Sequence, residues 1–348
     1  MKQLTYQGIK NKIEKENINF LAFVITPWHL VGAKAAYEYA KTEVDDLRPL
    51  IVCIPHSETG TAIEDDDEFE LCILEKDKKN CISFKNYLFF LINCTIGRVS
   101  SEEVIYISNP WWGTFKEYNL SLPSKNNNIR LIIYEEGTGT YEERFWKISY
   151  YFGKYPLKTV LQTSVDFFLS SLYKRRGRLC NLTPLKRENG CLVKNEFGLK
   201  YYRKIINGST ELFSNRVLLL TQSNDSQELD FFRVVAKTLS DLGLEIYVKP
   251  HPRYPLNDDV FDGCNVRIVN GSITAEIMML NVKAKYCIGL STTALSTLHL
   301  FYDTVSISLC LLRERTEFDN WFIKNYSSVV EFPSTFEEVQ KIIDYARG

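Results

Sequence analysis

The stretch 216–249, RVLLLTQSNDSQELDFFRVVAKTLSDLGLEIYVK, decides the fold. It contains two short apolar runs, 216–221 and 244–249, separated by a helical pattern at 226–242. Short apolar runs that alternate with helical patterns are typical of βαβ units, in which the strands pair in parallel. The stretch therefore predicts a strand, a helix and a second strand of an α/β domain.

The same alternation occurs along most of the chain. Further candidate strands lie at 20–26, 50–54, 71–74, 103–108, 129–134, 265–269, 284–289 and 304–309, and further helical patterns at 30–41, 83–96, 273–281 and 293–301. A stretch that we expect to be helical, basic and aromatic, 141–205, separates the two series. We predict two Rossmann-like doubly wound domains, residues 1–207 and 208–348, with a turn at Asn207 and Gly208.

Composition excludes several classes of protein. The chain has 348 residues and a formal net charge of −1, which argues against nucleic acid as the main partner. Its nine cysteines include no C-x-x-C pair and several lie in apolar runs, so we expect reduced, buried cysteines of a cytosolic protein. The four histidines are far apart in sequence, which is not typical of a zinc site.

The sequence also predicts where the protein resides. The first 19 residues are polar, without the apolar centre of a signal peptide, and no stretch approaches the roughly 18 apolar residues of a spanning helix. We therefore expect a cytoplasmic protein, or one that binds a membrane surface.

Ligands of open α/β sheets bind beyond the carboxyl ends of the strands, so polar residues that follow a strand are candidates. Glu135, Glu136 and Gly137 directly follow the strand at 129–134. A carboxylate in this position could act as a general base toward a sugar hydroxyl. Strand alternation would turn only one of the two glutamates toward the cleft. The alternative interpretation is an ordinary acidic turn.

The most specific motif is Lys249-Pro250-His251-Pro252-Arg253, which follows the strand at 244–249. The prolines restrict the turn, and the three basic residues suit a phosphate group. A protonated His251 could hydrogen-bond a leaving phosphate and offset its growing charge. The alternative is a rigid loop with a surface histidine.

Hydroxyl groups follow two other strands of the second half. Ser291, Thr292 and Thr293 lie between a strand and a helix, where hydroxyls and free N–H groups can bind an anion or simply cap the helix. Thr221 and Gln222 follow the strand at 216–221 and are weaker candidates by the same reasoning.

Two further candidates have equally plausible structural explanations. Thr26-Pro27-Trp28-His29 follows the first predicted strand, and His29 could contact a donor or acceptor sugar, whereas the alternative is a helix cap with Trp28 in the core. Glu276 opens the helix at 273–281 and could hold ribose hydroxyls, or could be a favourable acidic residue of a first helical turn.

Motifs for common cofactors are absent from the sequence. It contains no G-x-x-x-x-G-K-[ST] phosphate loop, no dinucleotide fingerprint and no D-x-D in a plausible metal-binding context. The acidic run 64–70 is interpreted as a solvated loop. We therefore expect no cofactor and no divalent metal, with phosphate held by basic residues and hydroxyls.

The ordered set of motifs resembles the bacterial sialyltransferases, in particular the lipooligosaccharide sialyltransferases and capsular polysialyltransferases. Their pattern is [DE]-[DE]-G, then H-P, then S-[ST], and the same order occurs here at 135–137, 251–252 and 291–292. The T-P-W-H-L opening at 26–30 is similar to the T-P-x-Q-L of the lipooligosaccharide group, and Thr221-Gln222 also matches that group. The sequence departs from that group at His29, where the group has glutamine.

The resemblance implies a GT-B glycosyltransferase with two Rossmann-like domains facing a cleft, the first binding the acceptor and the second CMP-sialic acid. It implies inverting, metal-independent transfer of sialic acid to a terminal sugar hydroxyl, of galactose or sialic acid, on a bacterial lipooligosaccharide or capsule. By resemblance, Glu136 would be the base, His251 would assist departure of the phosphate, and Ser291 and Thr292 would bind it. By analogy, Glu276 would hold the ribose. The other expected substrate-binding residues are Glu135, Gly137, Thr26, Pro27, His29, Thr221, Gln222, Lys249 and Pro252.

Other donors and a membrane partner are kept as hypotheses. The alternatives are a transferase that uses another CMP-linked nonulosonic acid, or CDP-glycerol or CDP-ribitol, a nucleotide-sugar epimerase, and a glycan-binding module without activity. The stretch 172–205 has ten basic and two acidic residues. It suits an anionic glycan or the inner leaflet, where lipid-linked acceptors are built, or it is a solvated helical face.

Overall fold

The structure, a computed structural model, describes residues 1–54, 68–75, 105–109, 129–134, 138–141, 179–206, 211–223, 225–251 and 254–347, with the isolated positions 149, 152–153, 155–157, 160 and 164. The chain divides into two units: the first comprises residues 1–183 and 200–205, and the second comprises 184–199 and 206–348. The segment 184–199 therefore groups with the second unit although it precedes residue 207.

The first unit contains a parallel sheet. Its elements are β1 (Lys2–Leu4), α1 (Tyr6–Glu16), β2 (Phe20–Val24), α2 (Pro27–Ala40), β3 (Pro49–Cys53), β4 (Leu71–Leu74), β5 (Ile105–Asn109), β6 (Ile129–Ile133), α3 (Thr138–Tyr141) and β7 (Leu179–Asn181). The order of the described strands is β1-β4-β3-β2-β5-β6-β7, and all pairs are parallel. Without β1, this is the 3-2-1-4-5-6 order of a Rossmann sheet, and the strand order reverses between β2 and β5.

The second unit contains a hairpin and a second parallel sheet. Its elements are β8 (Leu185–Glu188), β9 (Cys191–Lys194), β10 (Phe213–Leu220), α5 (Ser226–Asp241), β11 (Glu245–Lys249), β12 (Val266–Ile268), α6 (Ala275–Val282), β13 (Ala284–Gly289), α7 (Thr293–Tyr302), β14 (Val305–Ser308), α8 (Glu317–Tyr326) and α9 (Phe336–Arg347). Before β10, helix α4 (Glu196–Ile206) contributes residues to both units. The sheet order β12-β11-β10-β13-β14 is again the Rossmann order, 3-2-1-4-5.

Burial on both faces explains why the central strands are continuous apolar runs. In β10, Val217 and Leu219 belong to a core cluster that includes Phe232 of α5 and Ile343 of α9, whereas the alternate residue Leu218 is equally buried outside that cluster. Each fully buried side chain of this size contributes about 1.5–3 kcal/mol. Parallel strands covered on both faces lose the alternation of half-buried strands, which is why the sequence shows unbroken runs.

The alternation read from the sequence is confirmed in the described residues. Each of the ten predicted strands overlaps an observed strand, and α2, α5, α6 and α7 match the predicted helices to within three residues. The helical pattern at 83–96 lies outside the described residues. The prediction of a helical stretch at 141–205 is wrong at 179–194, because β7 and the antiparallel hairpin β8–β9 lie there, whereas helix α4 agrees with it from Glu196 onward. Strands β7, β8 and β9 are short and alternate only weakly between apolar and polar residues, so the sequence does not distinguish them from the polar residues around them.

The cysteines are partly as expected. Cys53, Cys72, Cys287 and Cys310 are free and buried, whereas Cys191 is free and exposed at the start of β9, contrary to the prediction of uniform burial. None of the described helices is both long and apolar enough to cross a membrane.

Candidate functional site

Three of the predicted sets lie side by side at the carboxyl edge of the second sheet. The Thr221 N–H donates to the Lys249 carbonyl at 3.1 Å, which joins the ends of β10 and β11. On the other side of β10, Gly289 lies against Leu220, since a Cβ added to Gly289 would be 3.3 Å from the Leu220 Cβ and from its carbonyl oxygen. The strand order of this parallel sheet reverses between β10 and β13, and such a switch point is the usual place for a ligand in this fold.

The turn after β10 is held by an acidic side chain that the sequence analysis did not consider. Asp225 caps α5, and Glu228 in the first turn accepts the N–H groups of Gln222 and Ser223 at 3.2 and 2.9 Å. Thr221 is 3% exposed, and its hydroxyl oxygen has no hydrogen-bond partner among the described residues. A buried hydroxyl without a partner is costly, so this group is suited to a ligand.

The turn after β11 presents His251 and buries Lys249. The Lys249 ammonium donates to the carbonyls of Pro250 and Gly271 at 3.1 and 3.2 Å, and burial lowers its pKa from 10.5 to about 8. His251 is half-buried, and its ring centroid lies 5.4 Å from that of Tyr254. Pro252 and Arg253 of this motif lie outside the described residues.

Glu276 lies in the first turn of α6, as predicted, but it is buried. Thr274 caps the helix, and the Glu276 carboxylate accepts the Thr297 hydroxyl of α7 at 2.5 Å. Burial raises the pKa of Glu276, and the nearby Lys249 ammonium opposes that rise. The carboxylate therefore lies close to both Lys249 and α7.

Ser291 and Thr292 differ in how their hydroxyls are used. Ser291 is buried and donates to Asp319 of α8 at 2.6 Å. Thr292 is the N-cap residue of α7, yet its side chain makes no capping hydrogen bond. The hydroxyl of Thr292 and the first N–H groups of α7 are therefore better placed to bind an anion than the Ser291 hydroxyl proton.

Asp319 was not found from the sequence, although it carries a recognisable signal. It forms a capping box with Thr316 and accepts an N–H of Arg313 at 3.2 Å. Burial alone would raise the pKa of Asp319, but the hydrogen bonds from Ser291 and Thr316 and the nearby Arg313 outweigh it and lower that pKa. The T-x-x-D spacing at 316–319 predicts the helix cap. It does not predict that Asp319 also accepts a hydrogen bond from Ser291, 28 residues earlier.

In the first unit, the T-P-W-H motif folds as the start of α2. Thr26 caps the helix by accepting the His29 N–H at 3.2 Å, and Pro27 occupies the first turn. Trp28 is buried, with its ring 5.6 Å from that of Tyr202. His29 is 3% exposed, and its Nδ1 accepts the Ile25 N–H at 3.2 Å, so the ring proton is on Nε2.

The residue before the acidic pair is fixed against this helix. Tyr134 is fully buried, its hydroxyl donates to the Phe23 carbonyl, and its ring centroid lies 6.0 Å from that of His29. A Cβ on Gly32 would lie 2.8 Å from Tyr134 Cγ, so only glycine admits the ring. Glu135, Glu136 and Gly137 lie outside the described residues, but the chain enters them from this fixed position.

The comparison with protein families decides the identity of the chain. Residues 20–311 match the family described as alpha-2,8-polysialyltransferase. The chain belongs to this family. It is therefore a sialyltransferase, and the match begins at the first residue of β2 and extends to the end of β14 and just beyond it. The resemblance drawn from the motifs is confirmed.

Two solved structures align with most of the sialyltransferase. A putative UDP-N-acetylglucosamine 2-epimerase from Listeria monocytogenes aligns with a TM-score of 0.51 and 10% identity, covering 94% of this chain and 88% of the other. An alpha/beta-galactoside alpha-2,3-sialyltransferase from Photobacterium phosphoreum aligns at 0.48 and 14%, covering 91% and 99%. At 10% identity, the likeness to the epimerase structure concerns the fold alone. No curated protein gave a significant sequence match.

Among the described residues, no group of three or more His, Cys, Asp or Glu side chains is placed to hold a metal ion. Hydroxyls, N–H groups and an imidazole lie at the edge of the second sheet of the sialyltransferase. Metal independence stays a prediction, and so do the roles of the individual site residues.

Proposed function

We propose that the protein transfers sialic acid from CMP-sialic acid to a terminal sugar hydroxyl of a bacterial surface glycan, with inversion and without a metal. The observation that carries the proposal is the convergence of Thr221, His251 and Thr292 at the carboxyl edge of the second sheet. The family description, alpha-2,8-polysialyltransferase, favours sialic acid over galactose as the terminal acceptor sugar.

The donor phosphate would bind at this edge. The Thr221 hydroxyl, which has no partner within the described part of the chain, the Thr292 hydroxyl and the first N–H groups of α7 are hydrogen-bond donors, and a protonated His251 would add a positive charge. The Ser291 hydroxyl donates to Asp319, so its contribution to phosphate binding would be through its N–H or as an acceptor. Glu276 is buried and already accepts the Thr297 hydroxyl, so it would hold the ribose only if a ribose hydroxyl reached its carboxylate.

The reaction needs one base and one stabilised leaving group. The acceptor hydroxyl oxygen attacks the anomeric carbon of sialic acid while the bond from that carbon to the phosphate oxygen breaks. Glu136 accepts the hydroxyl proton, and CMP departs with its new charge hydrogen-bonded by His251. Glu135 is the alternative base. Because attack and departure occur on opposite faces, the anomeric configuration inverts, through an oxocarbenium-like state.

A peripheral contact with the inner membrane would bring the enzyme to lipid-linked acceptors. Helix α4 is amphipathic: Leu199, Tyr202 and Ile206 are buried, and the basic residues Lys200, Arg203 and Lys204 are exposed. Exposed basic side chains attract anionic lipid headgroups or an anionic glycan. Co-sedimentation with vesicles of anionic or of neutral lipid tests this contact, and negligible binding to both would exclude it.

Release of CMP from CMP-sialic acid in the presence of EDTA is the decisive experiment. We expect acceptor-dependent release with a sialylated acceptor, with less or none on lactose. Glu136→Ala should lower kcat about 10²–10⁴-fold and His251→Ala about 10²–10³-fold. Glu14→Ala, which changes an exposed glutamate of α1, is the control and should be silent.

Three results would change the proposal in different ways. Activity that is lost in EDTA and restored by a divalent metal would refute metal independence. Activity retained in Glu136→Ala but lost in Glu135→Ala would move the base to Glu135. Absence of CMP release with every sialylated and galactosyl acceptor would reject the donor, and a panel of other CMP-linked nonulosonic acids and of CDP-glycerol and CDP-ribitol would follow.

A further inference from the structure

Lys249 joins two turns at the edge of the second sheet. It is the last residue of β11 and is only 5% exposed, and its ammonium donates to the carbonyls of Pro250 and Gly271. Two of its three N–H groups are therefore directed at main-chain oxygens. Such an ammonium acts as a cross-link between the turn after β11 and the turn that leads into α6.

Both peptide groups that flank His251 are held by hydrogen bonds. The Pro250 carbonyl, which accepts the Lys249 ammonium, belongs to the peptide before His251. The His251 carbonyl, in the peptide after it, accepts the Tyr254 N–H at 2.9 Å. Because the allowed rotamers of a side chain depend on its backbone angles, fixing these two peptides limits the direction of the imidazole.

Gly271, whose carbonyl is the second acceptor of the Lys249 ammonium, is also held in place. Gly271 packs against Pro250 so closely that a Cβ on Gly271 would lie 2.9 Å from Pro250 Cγ and 3.2 Å from its carbonyl oxygen. The buried Glu276 carboxylate lies near enough to favour the charged form of Lys249. The two carbonyl oxygens and the carboxylate therefore offset part of the cost of burying the positive charge of Lys249.

We propose that Lys249 is a positioning residue for His251, which it orients through the carbonyls of Pro250 and Gly271, and that it does not bind the donor phosphate. The proposal differs from the interpretation of Lys249 as a direct phosphate contact. It rests on the proposed function of His251 at the leaving group.

A double-mutant cycle tests the proposal. Lys249→Met should lower kcat with CMP-sialic acid by about tenfold or more, as small misplacements of catalytic groups do. In the His251→Ala background, Lys249→Met should cause no further loss, because the group that it orients is gone. Independent, multiplicative losses would overturn the proposal. Lys237→Met, at an exposed lysine of α5, is the control and should leave kcat unchanged.

Gly271→Ala provides a second variant that keeps the ammonium. The added methyl group would overlap Pro250 and displace it, and with it the peptide before His251. This variant should therefore lower kcat as Lys249→Met does, with little change in the KM for CMP-sialic acid. A silent Gly271→Ala, together with a Lys249→Met variant that raises KM at unchanged kcat, would make Lys249 a phosphate ligand and reject the positioning role.

Histidine NMR separates this proposal from the proposed function. The chain has four histidines, so their ring signals can be assigned by substitution. Lys249→Met should shift the signals of His251 and leave those of His299 on α7 unchanged; an unchanged His251 would refute positioning. If His251→Ala keeps full activity, the role of His251 at the phosphate fails, and the NMR comparison still decides whether Lys249 orients it.

Discussion

The carboxyl edges of the two sheets are constructed by different kinds of interaction. At the edge of the first sheet, the ring of Tyr134 fills a space that Gly32 leaves open and lies beside the buried ring of His29. At the edge of the second sheet, the turns are held by charged groups: the Lys249 ammonium on two carbonyls, and the Asp319 carboxylate on Ser291.

This difference predicts different sensitivities. An edge fixed by the fit of a ring responds to changes of volume, because packed interiors tolerate neither voids nor added atoms. An edge fixed by buried charges responds to changes of hydrogen bonding and of pH, because the cost of an unpaired buried charge is large. Four substitutions test the comparison, from the largest expected effect to the smallest.

Asp319→Asn should have the largest effect. The amide nitrogen cannot accept the hydrogen bonds that Ser291, Thr316 and Arg313 donate to the carboxylate, so we expect a loss of about 3 kcal/mol in the free energy of unfolding. Chemical denaturation at neutral pH measures it. Asp344→Asn, at an exposed site of α9, should change almost nothing, and an equal effect of both variants would contradict the prediction.

The loss should also depend on pH with a definite sign. Because the pKa of Asp319 in the folded protein lies below its ordinary value, its stabilising contribution is complete above the unfolded pKa and is lost as pH falls through the folded pKa. The difference between the wild type and Asp319→Asn should therefore shrink in acid.

Gly32→Ala should destabilise the first unit by about 2 kcal/mol, since the added methyl group overlaps the ring of Tyr134. Acceptor-dependent activity should fall as well, because Tyr134 directly precedes the acidic pair. In a Tyr134→Leu background, where the side chain is smaller, the cost of Gly32→Ala should decrease. An undiminished cost there would show that the ring is not what excludes a side chain from position 32.

The sequence predicted the sheets better than the contacts at their edges. Buried parallel strands give continuous apolar runs, so β10, β11 and β13 were found together with the turns that follow them. The partners of those turns come from distant positions: Asp319 reaches Ser291 across 28 residues, and Gly271 reaches Lys249 across 22. No local pattern predicts such pairs, and a glycine that makes room for Tyr134 resembles any other helical glycine.

Lys249 should give the second unit a pH dependence of its own. Burial lowers the pKa of Lys249 to about 8, so between about pH 8 and 10.5 the unfolded chain binds more protons than the folded one. The unfolding free energy of the wild type should then rise with pH relative to Lys249→Met across that window. Parallel curves for the two proteins would mean that the folded lysine titrates normally. Lys237→Met should follow the wild type.

Thr221→Val should have the smallest effect on stability, and with the opposite sign. The hydroxyl of Thr221 is buried, and its oxygen has no partner among the described residues, so a methyl group of similar size removes a desolvation cost. We expect unchanged stability or a gain of less than about 1 kcal/mol, measured by denaturation. Thr297→Val is the matched control, because that hydroxyl donates to Glu276, and it should destabilise the protein.

Binding gives the same variant a second readout. If the Thr221 hydroxyl is reserved for the donor, the affinity for CMP should fall several-fold in Thr221→Val although the free protein is no less stable. A variant that loses stability and keeps its affinity for CMP would show that Thr221 has a structural partner instead. The second edge would then be held entirely by its own internal hydrogen bonds, and the comparison between the two edges would rest on Lys249 and Asp319 alone.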